Sequence, residues 1–151
     1  MIKLTHNGLS QAEIETLFKM LEPFGIEESI EEFNDEYVSM VYLDIPIAYN
    51  DKLFTIFGLD RWEELKNLFK NIKWRRGNKN VKITFYFHGN PDVEFSIVTA
   101  SNIIMSKALD TIEYQADNIL LHIDKLKDAR LISYRFDLTK YRWIINNISK
   151  D

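Results

Sequence analysis

Apolar residues change period several times along this chain, and each change marks an element. Ile2 to Thr5 reads as a short first strand. Ser10-Gln11-Ala12-Glu13 has the spacing of a capping box, in which a hydroxyl and a carboxylate satisfy amides at a helix start. Ile14, Leu17, Phe18 and Leu21 then share one helical face, and Pro23 with Gly25 ends the helix. Ser29 to Phe33 and Tyr37 to Ile45 predict a hairpin turning at Asn34-Asp35. Its second arm, Tyr37 to Leu43, is apolar on both faces, which places it centrally in a sheet, and Pro46 closes it.

Two linked helices follow. The first runs from about Asp51 to Phe57 and breaks at Gly58. The second opens on Asp60-Arg61-Trp62-Glu63, another capping-box pattern, and turns Leu65, Leu68, Phe69 and Ile72 inward. Lys66, Lys70 and Lys73 fall on its outer side. Val81 to Phe87 and Val93 to Val98 form the clearest hairpin. A five-residue loop, His88 to Asp92, pairs Phe87 with Val93, Phe85 with Phe95 and Ile83 with Ile97. A four-residue loop would turn every side chain to the other face, so burial selects the first register. From Asn102 to Lys127 one long helix is expected, with Met105, Leu109, Ile112, Ala116, Ile119, Ile123 and Leu126 on one face. Ile103, Tyr114 and Leu121 lie nearly opposite them. A strand from Leu131 to Phe136 and a helix from Thr139 to Ile148 complete the chain. That last helix offers Tyr141, Ile144, Ile145 and Ile148 as cover for the second stripe.

These elements predict an α+β fold over residues 1–151 as one domain. The expected sheet is mixed and mainly antiparallel, with about six strands including two hairpins, packed by about five helices. Composition supports a packed core. Ten Phe, seven Tyr and three Trp stand in a chain that is 46% hydrophobic, with no linker or repeat to divide it. At this length roughly 70% of the unfolded surface is buried on folding, enough for a core without metal or disulfide staples. The absence of cysteine excludes a disulfide framework and a thiolate nucleophile. Residues Met1 to Asn7 lack the basic-then-apolar pattern of a signal peptide, and no apolar run is long enough to span a bilayer. A cytoplasmic protein without membrane contact is the expectation.

Charge changes the picture more than composition does. Glu27, Glu28, Glu31, Glu32, Asp35 and Glu36 form an acidic run with no base among them. Between Leu65 and Pro91 there is no acid, yet Lys66, Lys70, Lys73, Arg75, Arg76, Lys79 and Lys82 all occur. Two opposed blocks on one small chain suggest electrostatic recognition. Each has a plainer explanation. The lysines would be the solvated face of a helix with Trp74 in the core, and the acids would guard an edge strand against aggregation. A third arrangement pairs the two blocks, within one molecule or across a homodimer.

No catalytic kit is visible. His6, His88 and His122 are scattered, without metal-ligand spacing. The G-x-S-x-G elbow, the P-loop and the dinucleotide-binding glycine pattern are missing. Glu64-Leu65-Lys66 matches the letters of a nuclease E-x-K pair, but it falls on a helix and Asp92 follows it. No cofactor is implied.

Function is therefore expected to be recognition. The leading expectation is a stoichiometric inhibitor, an immunity or antitoxin protein that neutralises a basic toxin of nuclease type. Glu27, Glu28, Glu31, Glu32, Asp35 and Glu36 would meet the partner's basic cleft, with Tyr37 and Tyr42 supplying contact area. The alternative is a nucleic-acid-binding regulator or phage-encoded host modulator. It would use Lys66, Lys70, Lys73, Trp74, Arg75, Arg76, Lys79 and Lys82, with the indole stacking on a base. An enzyme would need a concave pocket assembled from residues distant in sequence.

Overall fold

The computed structural model describes residues 1–32, 34–121 and 128–150, without the side chains of 118, 120 and 121. The expectations at Phe33, His122, Ile123, Leu126 and Lys127, and at the Leu121 side chain, lie outside that description. The fold is α+β, and among the described residues the sheet has seven strands in the order β2-β1-β3-β4-β5-β6-β7. In chain order the strands are Ile2–Asn7 (β1), Ile26–Ile30 (β2), Ser39–Ile45 (β3), Val81–Phe87 (β4), Asp92–Thr99 (β5), Ala129–Asp137 (β6) and Arg142–Lys150 (β7). The helices are Gln11–Leu21 (α1), Leu53–Phe57 (α2), Leu59–Arg75 (α3), Asn102–Asp110 (α4) and Gln115–Leu121 (α5).

Parallel and antiparallel pairs alternate across the sheet. β1/β2, β3/β4 and β5/β6 are parallel and bridged by helices, whereas β1/β3, β4/β5 and β6/β7 are antiparallel. Val41, Leu43 and Ile45 align with Ile83, Phe85 and Phe87 on one face of the sheet. Phe85 packs against Trp62 and Phe69 of α3, so this is the face that the helices cover. The alternate positions, among them Tyr42, Asp44, Thr84, Tyr86, Glu94 and Ser96, lie on the other, open face.

The β4/β5 hairpin has the expected register, with Phe87 opposite Val93, Phe85 opposite Phe95 and Ile83 opposite Ile97. The Ser10–Glu13 capping box forms as read. The second capping box does not: α3 starts at Leu59 behind Gly58, whose φ of 103° suits glycine, and no side chain caps it.

Three further expectations are overturned. The hairpin over Ser29–Ile45 does not exist, because β1 lies between its two arms, parallel to β2 and antiparallel to β3. β1 buries Ile2 and Leu4 completely and uses both its edges, while Ile26-Glu27-Glu28-Ser29-Ile30 is too charged for the sheet interior and takes the edge. The long helix ends at Asp110. The Thr111 hydroxyl donates to Lys107 O at 2.8 Å, and the Tyr49 hydroxyl takes the Ile112 carbonyl, so the helical ladder breaks into a 3₁₀ turn. The final helix is strand β7. The Asp137 carboxylate accepts the amides of Thr139 and Lys140 at 2.9 Å each, forming a tight turn that sends the β-branched run Ile144-Ile145 back along β6. Trp143 then buries under α4, its indole N–H donating to Ala108 O at 2.8 Å. With no final helix over them, Ile103 and Tyr114 are exposed.

Candidate partner-binding surface

The fate of the two charge blocks distinguishes them. The basic block is engaged inside the molecule. Lys66, expected on the outer side of α3, is only 2% exposed. Its Nζ lies 2.9 Å from Glu63, 3.0 Å from Glu113 and 3.6 Å from Asp110. Burial works against its charge, but Glu63 and Glu113 outweigh it and hold the ammonium above its ordinary pKa. Lys70 meets Asp110 at 2.7 Å. Lys73 is fully buried and donates to Asn102 Oδ1 at 2.9 Å and to Gly77 O at 2.5 Å. Among the described residues it has no carboxylate partner, and burial lowers its pKa. These three lysines therefore are not a solvated helix face. They tie α3 to α4.

Arg75 and Arg76 converge on Glu13, the capping-box residue of α1, which is 3% exposed. Arg75 donates to Oε2 through Nε at 3.0 Å and Nη2 at 2.6 Å. Arg76 reaches both oxygens at 2.6 Å and also donates to Ser39 Oγ and Gly8 O. Burial would raise the Glu13 carboxyl. Hydrogen bonds from Arg76, the Ser10 amide and Arg75, with the charge of Arg76, overcome that and bring it down to about 2. Of the remaining basic-block residues, Trp74 is 69% exposed rather than in the core, and Lys79 is exposed. Lys82 is half-buried with its ammonium 5.7 Å from the Tyr37 ring centroid.

The acidic run is left outward. Glu27 and Glu28 sit on edge strand β2, and Glu31, Glu32, Asp35 and Glu36 follow it, all exposed. Among the described residues no lysine or arginine closes an ion pair with any of them. Glu28 has a side-chain partner in buried His6, at 2.7 Å. Lys3 stands opposite Glu27 in the ladder without forming such a pair. Glu27, Glu28, Glu31 and Glu32 thus follow one another along the β2 rim, whereas Glu36 lies apart from it, its carbonyl accepting from Asn80 Nδ2 at 3.2 Å just before β4. Tyr37 is half-buried against Lys82 of β4, away from the β2 edge, and Tyr42 lies on the open sheet face.

Around Tyr42 the open face carries a cluster that the sequence reading did not assemble. The Tyr86 hydroxyl donates to Asp92 at 2.8 Å, and His88 Nε2 lies 2.5 Å from Asp44. Burial, reinforced by Glu94 and Asp44, pushes the Tyr42 hydroxyl up to about 12. Burial also raises the Glu94 carboxyl. The β4/β5 register already set Tyr86 opposite Glu94, but Asp44 arrives only through the parallel β3/β4 pairing. Among the described residues no group of three or more His, Asp or Glu is arranged to hold a metal ion, and no helix is long and apolar enough to cross a membrane.

The chain matches no protein-family model, no curated protein and no solved structure.

Proposed function

We propose that this protein is a non-catalytic inhibitor that binds a basic protein through its acidic rim, most concretely an immunity or antitoxin protein for a nuclease-type toxin. One observation carries the reading. Lys66, Lys70, Arg75 and Arg76 of the basic block are paired with acids inside the fold, whereas among the described residues Glu27, Glu31, Glu32, Asp35 and Glu36 stay outward without cationic partners. Carboxylates so placed can stand where nucleic-acid phosphates would bind in a basic cleft. The test is capture of partners from nuclease-treated lysate of the source organism, using the wild type and a Glu27→Lys/Glu31→Lys/Glu32→Lys variant. The reading expects a basic protein at equal stoichiometry that the variant loses, and whose nuclease activity the wild type suppresses. Capture that charge reversal leaves unchanged would sink it.

A second reading, nucleic-acid binding, keeps one supporting observation: exposed Trp74 beside partly exposed Arg75 and exposed Lys79. It predicts a complex with RNA or single-stranded DNA at about 50 mM salt that weakens steeply as salt rises. No complex under those conditions removes it.

A further inference from the structure

Strand β2 is open on its outer side, and its backbone phase is fixed by two hydrogen bonds. Ile2 N–H donates to Gly25 O, and Glu31 N–H donates to His6 O, both at 2.9 Å. In a parallel ladder this phase turns the backbone groups of Glu27 and Ser29 toward β1. Those of Ile26, Glu28 and Ile30 then point away from the sheet, where no strand among the described residues neighbours them. Such an edge is a ready template for another strand.

The side chains along the same edge are unfinished too. α1 covers β1 but leaves a seam beside β2. A groove of about 480 Å³ there is lined by His6, Ile14, Phe18, Glu28 and Ile30, together with Gln11 and Glu15. A second hollow of about 340 Å³ continues it past Phe18 to Ile26. Ile30, on the helix-covered side of β2, is 74% exposed, an apolar side chain at the rim with nothing over it. The free ladder, a groove in which Ile14, Phe18 and Ile30 alternate with polar groups, and the unpaired carboxylates coincide on one five-residue strand and the loop after it.

We infer that β2 receives an extended, lysine- or arginine-rich segment of a partner protein by strand addition. This rests on the acidic-rim reading and names its mode of contact. Backbone groups of Ile26, Glu28 and Ile30 complete the ladder, which supplies affinity without regard to sequence. Alternation supplies the rest. Apolar side chains of the incoming strand turn toward Ile26, Ile30 and Phe18, and its basic side chains meet Glu27 on the open face and Glu31 and Glu32 beyond the strand end. Charge complementarity selects the occupant: an acidic segment, or a second copy of β2, would place carboxylate against carboxylate.

The test uses the full chain and, as probe, a short acetylated and amidated peptide of alternating lysine and valine at about 50 mM salt. Binding is followed by fluorescence anisotropy and by amide hydrogen exchange. The expected result is binding that slows exchange at Ile26, Glu28 and Ile30 by about tenfold or more. The same peptide N-methylated at every amide keeps its charge but loses its donors, and it should bind at least about tenfold more weakly. Ile30→Pro withdraws one outward donor while sparing the β1 ladder and every carboxylate, and it should weaken the parent peptide alone. Absent binding, or equal binding of the two peptides, overturns strand addition. If the Glu27→Lys/Glu31→Lys/Glu32→Lys variant also loses both peptides equally, the acidic rim stands without the strand. If charge reversal changes nothing while N-methylation does, strand addition stands and the acidic-rim reading falls.

Discussion

Glu13 and Arg76 are 63 positions apart in sequence and meet on both carboxylate oxygens at 2.6 Å, in a site where the acid is almost wholly buried. That contact joins the first turn of α1 to the end of α3, and Arg76 extends it to β1 and β3 through Gly8 and Ser39. Glu13→Gln keeps a capping-box side chain but leaves two guanidinium groups facing a neutral amide. Stability should fall by about 2–4 kcal/mol, somewhat less than the cost of breaking a wholly buried pair from one side because Arg75 is partly in solvent. Urea unfolding followed by circular dichroism measures it, with native helix content unchanged before the transition.

The same carboxyl sets an acid limit on the fold. Its folded pKa of about 2 lies below its ordinary value of 4.5, so it binds a proton more readily unfolded than folded. Its contribution is complete above about pH 4.5 and is lost as pH falls toward 2. Allowing for solvent around the Arg75 side of the contact, the loss is on the order of 2 kcal/mol. Wild type should therefore destabilise more steeply than Glu13→Gln across that window. Parallel unfolding curves at each pH would contradict the assignment.

Lys73 presents the opposite case, a fully buried ammonium whose partners are an amide oxygen and a carbonyl. Lys73→Met removes that charge, and both acceptors it releases belong to exposed residues that water can reach. Thermal unfolding should shift by less than the equivalent of about 1 kcal/mol in either direction. A large loss would mean that the ammonium holds the end of α3 in place.

Reversing Glu27, Glu31 and Glu32 to lysine should separate stability from recognition. The three side chains are exposed and close no ion pair among the described residues, so the change should alter stability by no more than about 0.5 kcal/mol while abolishing partner capture. Glu28 is left out of the set because it holds buried His6. A cooperative melt at the wild-type temperature is the control that gives the binding result its meaning.

Trp74→Ala tests the rival surface with little structural cost, since the indole is 69% exposed. Unfolding should be unchanged. Loss of RNA or single-stranded DNA binding in this variant would count for the stacking role, and unchanged binding would count against it.

The elements set by local chemistry were legible in the sequence. The Ser10–Glu13 box, the stop at Pro23 and the β4/β5 register each depend on residues close together. What could not be read was set by contacts across the chain. Tyr141, Ile144, Ile145 and Ile148 fit a helical stripe, yet an Asp137 turn and the burial of Trp143 beneath α4 make them part of a strand. The break at Thr111 depends on Tyr49, 63 residues before Ile112. The acidic run was visible as a block. That the basic block would be engaged by Glu13, Glu113 and Asp110 was not, because those acids come from α1, α4 and the 3₁₀ turn after it.

Lys66, Lys70, Arg75 and Arg76 are cancelled in place by acids from elsewhere in the chain, while the carboxylates at the β2 rim face solvent with no lysine or arginine paired to them among the described residues. Charge left over at one edge gives the molecule an electric moment. A body with such a moment rotates as it approaches a positively charged one, and presents the same edge first. Added salt would then act chiefly on how often encounters succeed, whereas the lifetime of any complex formed would follow the short-range contacts made after arrival.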